Sequence, residues 1–160
     1  MTATTQIMTE ADTCRELVTP KLVDAGWGSA PHVIGEQRTF TNGRIIVTGG
    51  RVRRGKQKRA DYLLYYRRDF PLAVVEAKEL GLPAETGVQQ AKDYAEVLGL
   101  KFAYATNGTG IVEYDFITGI ERSIEAFPSP EELWARLNAA DPVPAPEKVL
   151  APYYADPERP

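Results

Sequence analysis

What this chain has little of narrows its class first. Among 160 residues there is one cysteine, Cys14, and one histidine, His32. A single thiol excludes an intrachain disulfide. One thiol and one imidazole also exclude the common zinc sites, unless carboxylates supply most of the ligands. No run of about 18 apolar residues occurs, so no membrane-spanning helix is expected. The Met1–Gln6 segment has neither the basic nor the apolar region of a secretory signal. Gly49-Gly50 and Gly55 lack the lysine and Ser/Thr spacing of a phosphate-gripping nucleotide loop. These absences fit a protein of the reducing cytoplasm. Cys14 lies in an apolar-periodic stretch and reads as a small packed side chain rather than a nucleophile.

What is present is an ordinary globular balance, 43% hydrophobic and 26% charged, in a chain long enough to bury a core. The prolines are unevenly placed. Pro142, Pro144, Pro146, Pro152, Pro157 and Pro160 crowd the end, which predicts one compact domain over residues 1–140 and a Pro-rich linker over 141–160. Charge is uneven too. The net charge is -3, yet Arg38 to Arg68 holds ten bases and one acid, Asp61. The densest group is Arg51, Arg53, Arg54, Lys56, Lys58 and Arg59. A polyanion would meet a local positive surface on a protein that is acidic overall. The plain alternative is a solvated basic hairpin.

Periodicity predicts a mixed α/β order. Thr9 to Gly26 reads as a helix capped by Thr9 or Asp12, with Pro20 expected to kink or divide it near Thr19. Trp27 reads as a packing anchor. Pro31–Phe40 is expected to be extended, Asn42-Gly43 a turn, and Arg44–Val47 a strand. Arg59–Tyr66 and Leu72–Ala77 are predicted to form a hairpin around a turn at Arg67–Pro71. A helix is predicted over Pro83–Leu98, with Val88, Ala91, Ala95 and Leu98 as its apolar stripe. Strands at Phe102–Ala105 and Ile111–Tyr114 flank an Asn107-Gly108 turn. A turn at Thr118-Gly119 follows. The last element is a helix from Pro130 to Leu137, with Ser129 as its cap and Glu131 and Glu132 in its first turn.

The chemistry lies in Asp61, Glu76 and Lys78. Glu76 closes the apolar run Leu72-Ala73-Val74-Val75, and a buried carboxylate is costly unless it is paired, hydrogen-bonded or bound to metal. Lys78 is two residues on, so on a strand it shares a face with Glu76, while Ala77 points to the core. Hairpin pairing brings Asp61 beside Glu76. Two neighbouring carboxylates repel, and a divalent cation resolves that conflict. Magnesium prefers such oxygen ligands, here Asp61, Glu76 and the backbone carbonyl of Ala77. It would polarise a phosphate and acidify a bound water. Lys78 would orient that water or stabilise charge on the phosphate. Against this stands a structural Glu76–Lys78 ion pair with Asp61 nearby. Gln90 and Tyr94, four apart, share a helix face and could reach the same phosphate or water, or simply form helix surface. Gln89 points elsewhere. Glu10, Glu16 and Glu36 are candidates for a further acid, with none preferred. His32 is a weak candidate for a general base.

Several segments resemble the amino-terminal nuclease domain of the R (restriction, HsdR) subunit of type I restriction-modification enzymes. They are Ala60–Tyr66, Leu72–Lys78, Gly87–Ala95, Phe102–Gly108 and Phe127–Trp134, with Thr9–Leu17 and Gly26-Trp27 before them. The resemblance covers roughly residues 9 to 138. It implies a restriction-endonuclease-like α/β core, a central mixed sheet flanked by helices, of the PD-(D/E)xK superfamily. Asp61 takes the place of the motif's first acid, Glu76 and Lys78 fill its second part, and Gln90 and Tyr94 match a Gln-x-x-x-Tyr extension. Ala60 departs from the motif's proline, which supplies no ligand. The resemblance further implies magnesium, with manganese as a possible substitute, and double-stranded DNA as the substrate. It implies methylation and specificity subunits as partners, and an ATP-using motor that lies outside this chain. Two alternatives stay open: a DNA-binding or assembly module that has kept the fold and lost catalysis, and a repair or junction nuclease with the same core.

Overall fold

A computed structural model describes residues 9–41, 44–46 and 58–140. The chain divides into two compact units, Met1–Pro130 and Glu131–Pro160. The first is built on a mixed sheet of β1 (Val33–Thr41), β2 (Arg44–Ile46), β3 (Lys58–Arg67), β4 (Phe70–Ala77), β5 (Phe102–Thr106), β6 (Ile111–Asp115) and β7 (Ile120–Ile124). Its strand order is β2-β1-β3-β4-β5-β6-β7. The β4–β5 pair is parallel and the others are antiparallel. This is the restriction-endonuclease-like α/β architecture that the sequence predicts.

The two parallel strands are the most apolar. Leu72–Ala77 and all of β5 are buried, as expected of strands covered on both faces. The crossover between them is a 3-10 turn, Ala84–Gly87, leading into helix α3 (Val88–Leu98). A single helix from Pro83 is therefore corrected to a tight turn and a helix. Ala91, Tyr94 and Ala95 of α3 join Leu63, Val74 and Ala103 in one core cluster. Gly99, with φ at +74°, ends the helix and donates its N–H to the carbonyls of its last turn.

The first helix is divided at Thr19, next to Pro20, as the proline predicts. Its segments are α1 (Glu10–Thr13), a π-helical stretch (Cys14–Val18) and α2 (Thr19–Ala25). The Thr19 N–H reaches back to the carbonyl of Cys14. This wider turn places the proline, which has no N–H to donate, in the first turn of α2, where none is needed. Thr9 is the cap, its hydroxyl accepting the Asp12 N–H at 3.1 Å. Trp27 is fully buried and donates its indole N–H to Pro128 O at 2.9 Å. Cys14 is half-buried, and burial pushes its thiol up to about 11, so it stays protonated at neutral pH.

Two further expectations change. The β3–β4 turn is tighter than the expected Arg67–Pro71. β4 starts at Phe70 and carries Pro71 opposite Tyr65 at an irregular step in the pairing, a position that tolerates the missing N–H. An additional strand, β7, follows Gly119. It is an edge strand with Glu121, Arg122 and Ser123 exposed, so it carries no apolar run by which to detect it. The last helix, α4 (Pro130–Ala140), has Glu131 and Glu132 in its first turn. No helix among the described residues is long and apolar enough to cross a membrane. The Asn42-Gly43 turn, the basic residues Arg51, Arg53, Arg54 and Lys56, and the tail over 141–160 lie outside the described residues.

Candidate active site

At the inner end of the β3–β4 hairpin, side chains take over from the backbone ladder. The regular pairing stops at Tyr62 opposite Val75. Beyond it the Asp61 N–H donates to Glu76 Oε2 at 3.1 Å, and the Ala77 N–H donates to Asp61 Oδ2 at 2.8 Å. Each acid thus binds the backbone of, or next to, the other. The two carboxylates are held side by side on neighbouring strands, as the hairpin spacing predicts. Ala77 is fully buried.

Glu76 is 3% exposed. Burial, reinforced by the neighbouring Asp61 charge, pushes its carboxyl up to about 9, and the Asp61 N–H and the Lys78 ammonium only partly offset this. Lys78 follows β4, anchored by its N–H to Thr106 O at 2.8 Å. Its ammonium points to α3, where Nζ meets Gln90 Oε1 at 3.5 Å and Gln90 Nε2 donates to Tyr94 Oη at 2.7 Å. Lys78, Gln90 and Tyr94 therefore form one polar chain beside the acids. Burial raises the Tyr94 phenol, as do the charges of Glu76 and Asp61. Gln89 turns away to Asp93, at 2.9 Å.

All five side chains line a cavity of about 680 Å³. Lys58, Arg59, Thr39 and Glu10 complete its wall. Of the six bases singled out from sequence, Lys58 and Arg59 are described, and both face this cavity. Of the three candidate acids, Glu10 reaches it, while Glu16 and Glu36 are exposed elsewhere. Burial and the Asp61 charge raise the Glu10 carboxyl. The approach of the first helix to the β5–β6 turn positions Glu10. At Gly108, φ is +98° and an added Cβ would lie 2.6 Å from Leu17 Cδ1, so both conformation and space require glycine there. No local pattern distinguishes Glu10 from Glu16, because the helix-to-turn packing that selects it is tertiary. His32 is away from the cavity. Its Nδ1 bonds Tyr66 O, and its ring packs against Trp27 and Tyr66.

Among the described residues no three His, Cys, Asp or Glu side chains gather closely enough to cage a metal ion by themselves. The donors present are the adjacent carboxylates of Asp61 and Glu76, the latter buried and raised, with Glu10 meeting Asp61 at the cavity wall. That set suits a hard divalent ion which keeps part of its water shell.

Residues 35–126 match the family described as the Type I restriction enzyme R protein N terminus. The chain belongs to this family. It is 36% identical over 135 residues to the Type I restriction enzyme EcoAI endonuclease subunit of Escherichia coli, a match covering 81% of this chain and 16% of that protein. Its fold is similar to the solved fragment of a protein assigned as an HsdR subunit of a type I restriction enzyme from Vibrio vulnificus YJ016. That match has a TM-score of 0.77 and 56% identity, over 87% of this chain and 27% of that one. This R-protein domain thus spans a minor part of each of these relatives.

Proposed function

We propose that this R-protein domain is a magnesium-dependent endonuclease that hydrolyses phosphodiester bonds of double-stranded DNA. The observation that carries the reading is the reciprocal lock of Asp61 and Glu76, which keeps two carboxylates adjacent although burial and repulsion oppose it. Structural ion pairs join opposite charges. Two acids held together with one ammonium beside them are a site waiting for positive charge.

In this reading Asp61, Glu76 and the Ala77 carbonyl would hold the ion, with manganese as a substitute. The chemistry such an ion supplies is polarisation of the scissile phosphate and a water that ionises near neutral pH. The chain's own groups do the rest. Lys78 donates to the attacking water or to a phosphate oxygen. Gln90, bonded to both Lys78 and Tyr94, fixes the direction of that ammonium. Lys58 and Arg59, with the basic residues Arg51, Arg53, Arg54 and Lys56 that precede them in sequence, contact the DNA backbone, an interaction that reads charge and not sequence.

The relatives are several times longer than this chain. An ATP-driven motor that delivers DNA, and methylation and specificity subunits that choose the target, therefore belong to the proposal for the whole assembly. The test is cleavage by the full-length polypeptide, assembled with its partner subunits, carrying Asp61→Ala, Glu76→Ala or Lys78→Ala. Loss of cleavage with an unchanged melting profile is expected. Cleavage that persists in Glu76→Ala overturns the reading.

A further inference from the structure

Gln37 on β1 has φ at +51°. Among the described residues it is the one non-glycine in the left-handed region, a conformation that carries a standing cost for glutamine. Its neighbours pair regularly, Glu36 opposite Tyr62 and Arg38 opposite Ala60. The residue facing Gln37 across the strands is Asp61.

The distortion changes which way β1 looks. The Arg38 guanidinium lies 5.6 Å from the centre of the Tyr65 ring. A Cβ added to Gly35 would meet that same ring at 2.9 Å. Residues three apart on an uninterrupted strand point to opposite faces. Here both meet Tyr65, so the alternation breaks between them, at the position opposite the first acid. The amide of Gln37 then turns to that acid, with Nε2 donating to Asp61 Oδ1 at 3.5 Å. The other oxygen, Oδ2, already accepts the Ala77 N–H. Each carboxylate oxygen thus has a protein donor on it, and the neighbouring Glu10 and Glu76 carboxyls meet Asp61 as well.

We infer that Gln37 is a positioning residue, whose left-handed backbone and amide fix the rotation of the Asp61 carboxylate so that its remaining lone pairs face the cavity. The inference rests on the reading of that cavity as a divalent-ion site. A carboxylate that rotates freely must be ordered when the ion binds, and that ordering weakens affinity. Gln37 removes part of the cost in advance, at the expense of its own backbone. This explains why a strained glutamine stands where a glycine would be comfortable.

The test uses the full-length polypeptide with manganese as the probe, measured by titration calorimetry, and cleavage followed against magnesium concentration. Gln37→Gly removes the amide while easing the backbone. It should melt at the same temperature as the parent or higher, and bind manganese about tenfold more weakly, the usual size of an outer-sphere effect. The magnesium midpoint for cleavage should shift by a similar factor, with the saturated rate within about threefold of the parent. Gln37→Asn, which tolerates the left-handed region and keeps a shorter amide, should fall between. A residue serving the fold alone would change melting and leave metal affinity untouched. Manganese binding by Gln37→Gly as tight as the parent's overturns the inference. Asp61→Asn separates the two levels. If it loses manganese and cleavage while Gln37→Gly keeps both, only the role of Gln37 fails. If Asp61→Asn keeps both, the site itself has been misread.

Discussion

Glu76 and Glu113 are both buried carboxylates of one sheet, yet their surroundings differ in kind. Register places Val75, Tyr104, Glu113 and Arg122 in one row across β4 to β7. Glu76 stands in the adjacent row with Ala105 and Val112, so the two acids point to opposite faces. Glu113 accepts the Tyr104 hydroxyl at 2.7 Å and the Arg122 guanidinium at 3.1 Å. Glu76 accepts a backbone N–H and has another carboxylate for a neighbour. Burial is common to both. The difference is how fully the fold has supplied opposite charge and donors, since the Lys78 ammonium and the Asp61 N–H only partly offset the burial of Glu76. Where it has done so in full, the acid belongs to the structure. Where it has placed a second acid instead, the acid is available to something from solution.

The largest effects should fall on Glu76. Glu76→Gln keeps the shape and the acceptor for Asp61 N–H but removes the charge. Cleavage by the assembled enzyme should drop at least about 10³-fold, about 4 kcal/mol of transition-state stabilisation. Metal-free stability should move the other way, rising by about 1–3 kcal/mol at pH 8, because a group that resists ionisation has been removed. Denaturant unfolding in chelator, set beside the cleavage rate, checks both signs. A variant that loses stability as well as activity would place Glu76 with Glu113, and the contrast would collapse.

Glu113→Ala should do the reverse. It strips an acceptor from a buried phenol and empties a packed position, which predicts a loss of about 2–3 kcal/mol by denaturant unfolding. Cleavage measured well below the new melting point should stay within about threefold of the parent, since none of the proposed catalytic side chains stands in this row. A collapse of activity at full stability would show that the far face of the sheet is wired to the cavity.

How far these roles are legible in the sequence depends on how local they are. Asp61, Glu76 and Lys78 sit on one hairpin, and Gln90 and Tyr94 on one helical turn. Period and spacing suffice to bring each set together, and the structure places all five on one cavity. The β4–α3–β5 crossover is equally readable, because its strands are continuous apolar runs. Glu10 is not, since its choice over Glu16 depends on where a helix docks against Gly108. Nor is Gln37, whose role lies in a single φ angle. The Tyr104–Glu113–Arg122 row needs β7, and β7 reads as a loop because its middle residues are polar and exposed. The wide turn that accommodates Pro20 is hidden for a similar reason: sequence reports the missing N–H but not the shift in hydrogen bonding that makes it harmless.

The pH dependence of stability sharpens the comparison further. The Glu76 carboxyl is raised in the folded state, from 4.5 to about 9. Between those values the folded chain holds a proton that the unfolded chain has released. Its contribution to stability is therefore complete below the unfolded value and is lost as pH rises toward and through 9. Metal-free protein should lose up to about 1.4 kcal/mol per pH unit over this window relative to Glu76→Gln. Magnesium should stabilise the parent more at pH 8.5 than at pH 6.5, because the ion competes with that proton. Unfolding midpoints for the two proteins, with chelator or with magnesium, decide the matter. Parallel pH profiles for parent and variant would mean that Glu76 is already ionised and satisfied.

The smallest effect tests what makes Glu113 comfortable. Arg122 contributes the cation, but its side chain is 57% exposed, so its attraction is screened by water and salt. If the hydroxyl of Tyr104 and the surrounding packing do most to keep the carboxylate in place, Arg122→Ala should cost about 0.5–1 kcal/mol, shrinking as ionic strength rises. A loss above about 3 kcal/mol would be the signature of a buried charge left without its partner. The arginine alone would then hold Glu113 inside the sheet. The two acids would differ in how closely a counter-charge is held: a guanidinium in contact with one, and for the other an ammonium that only partly offsets its burial, which a bound ion would complete on the proposed reading.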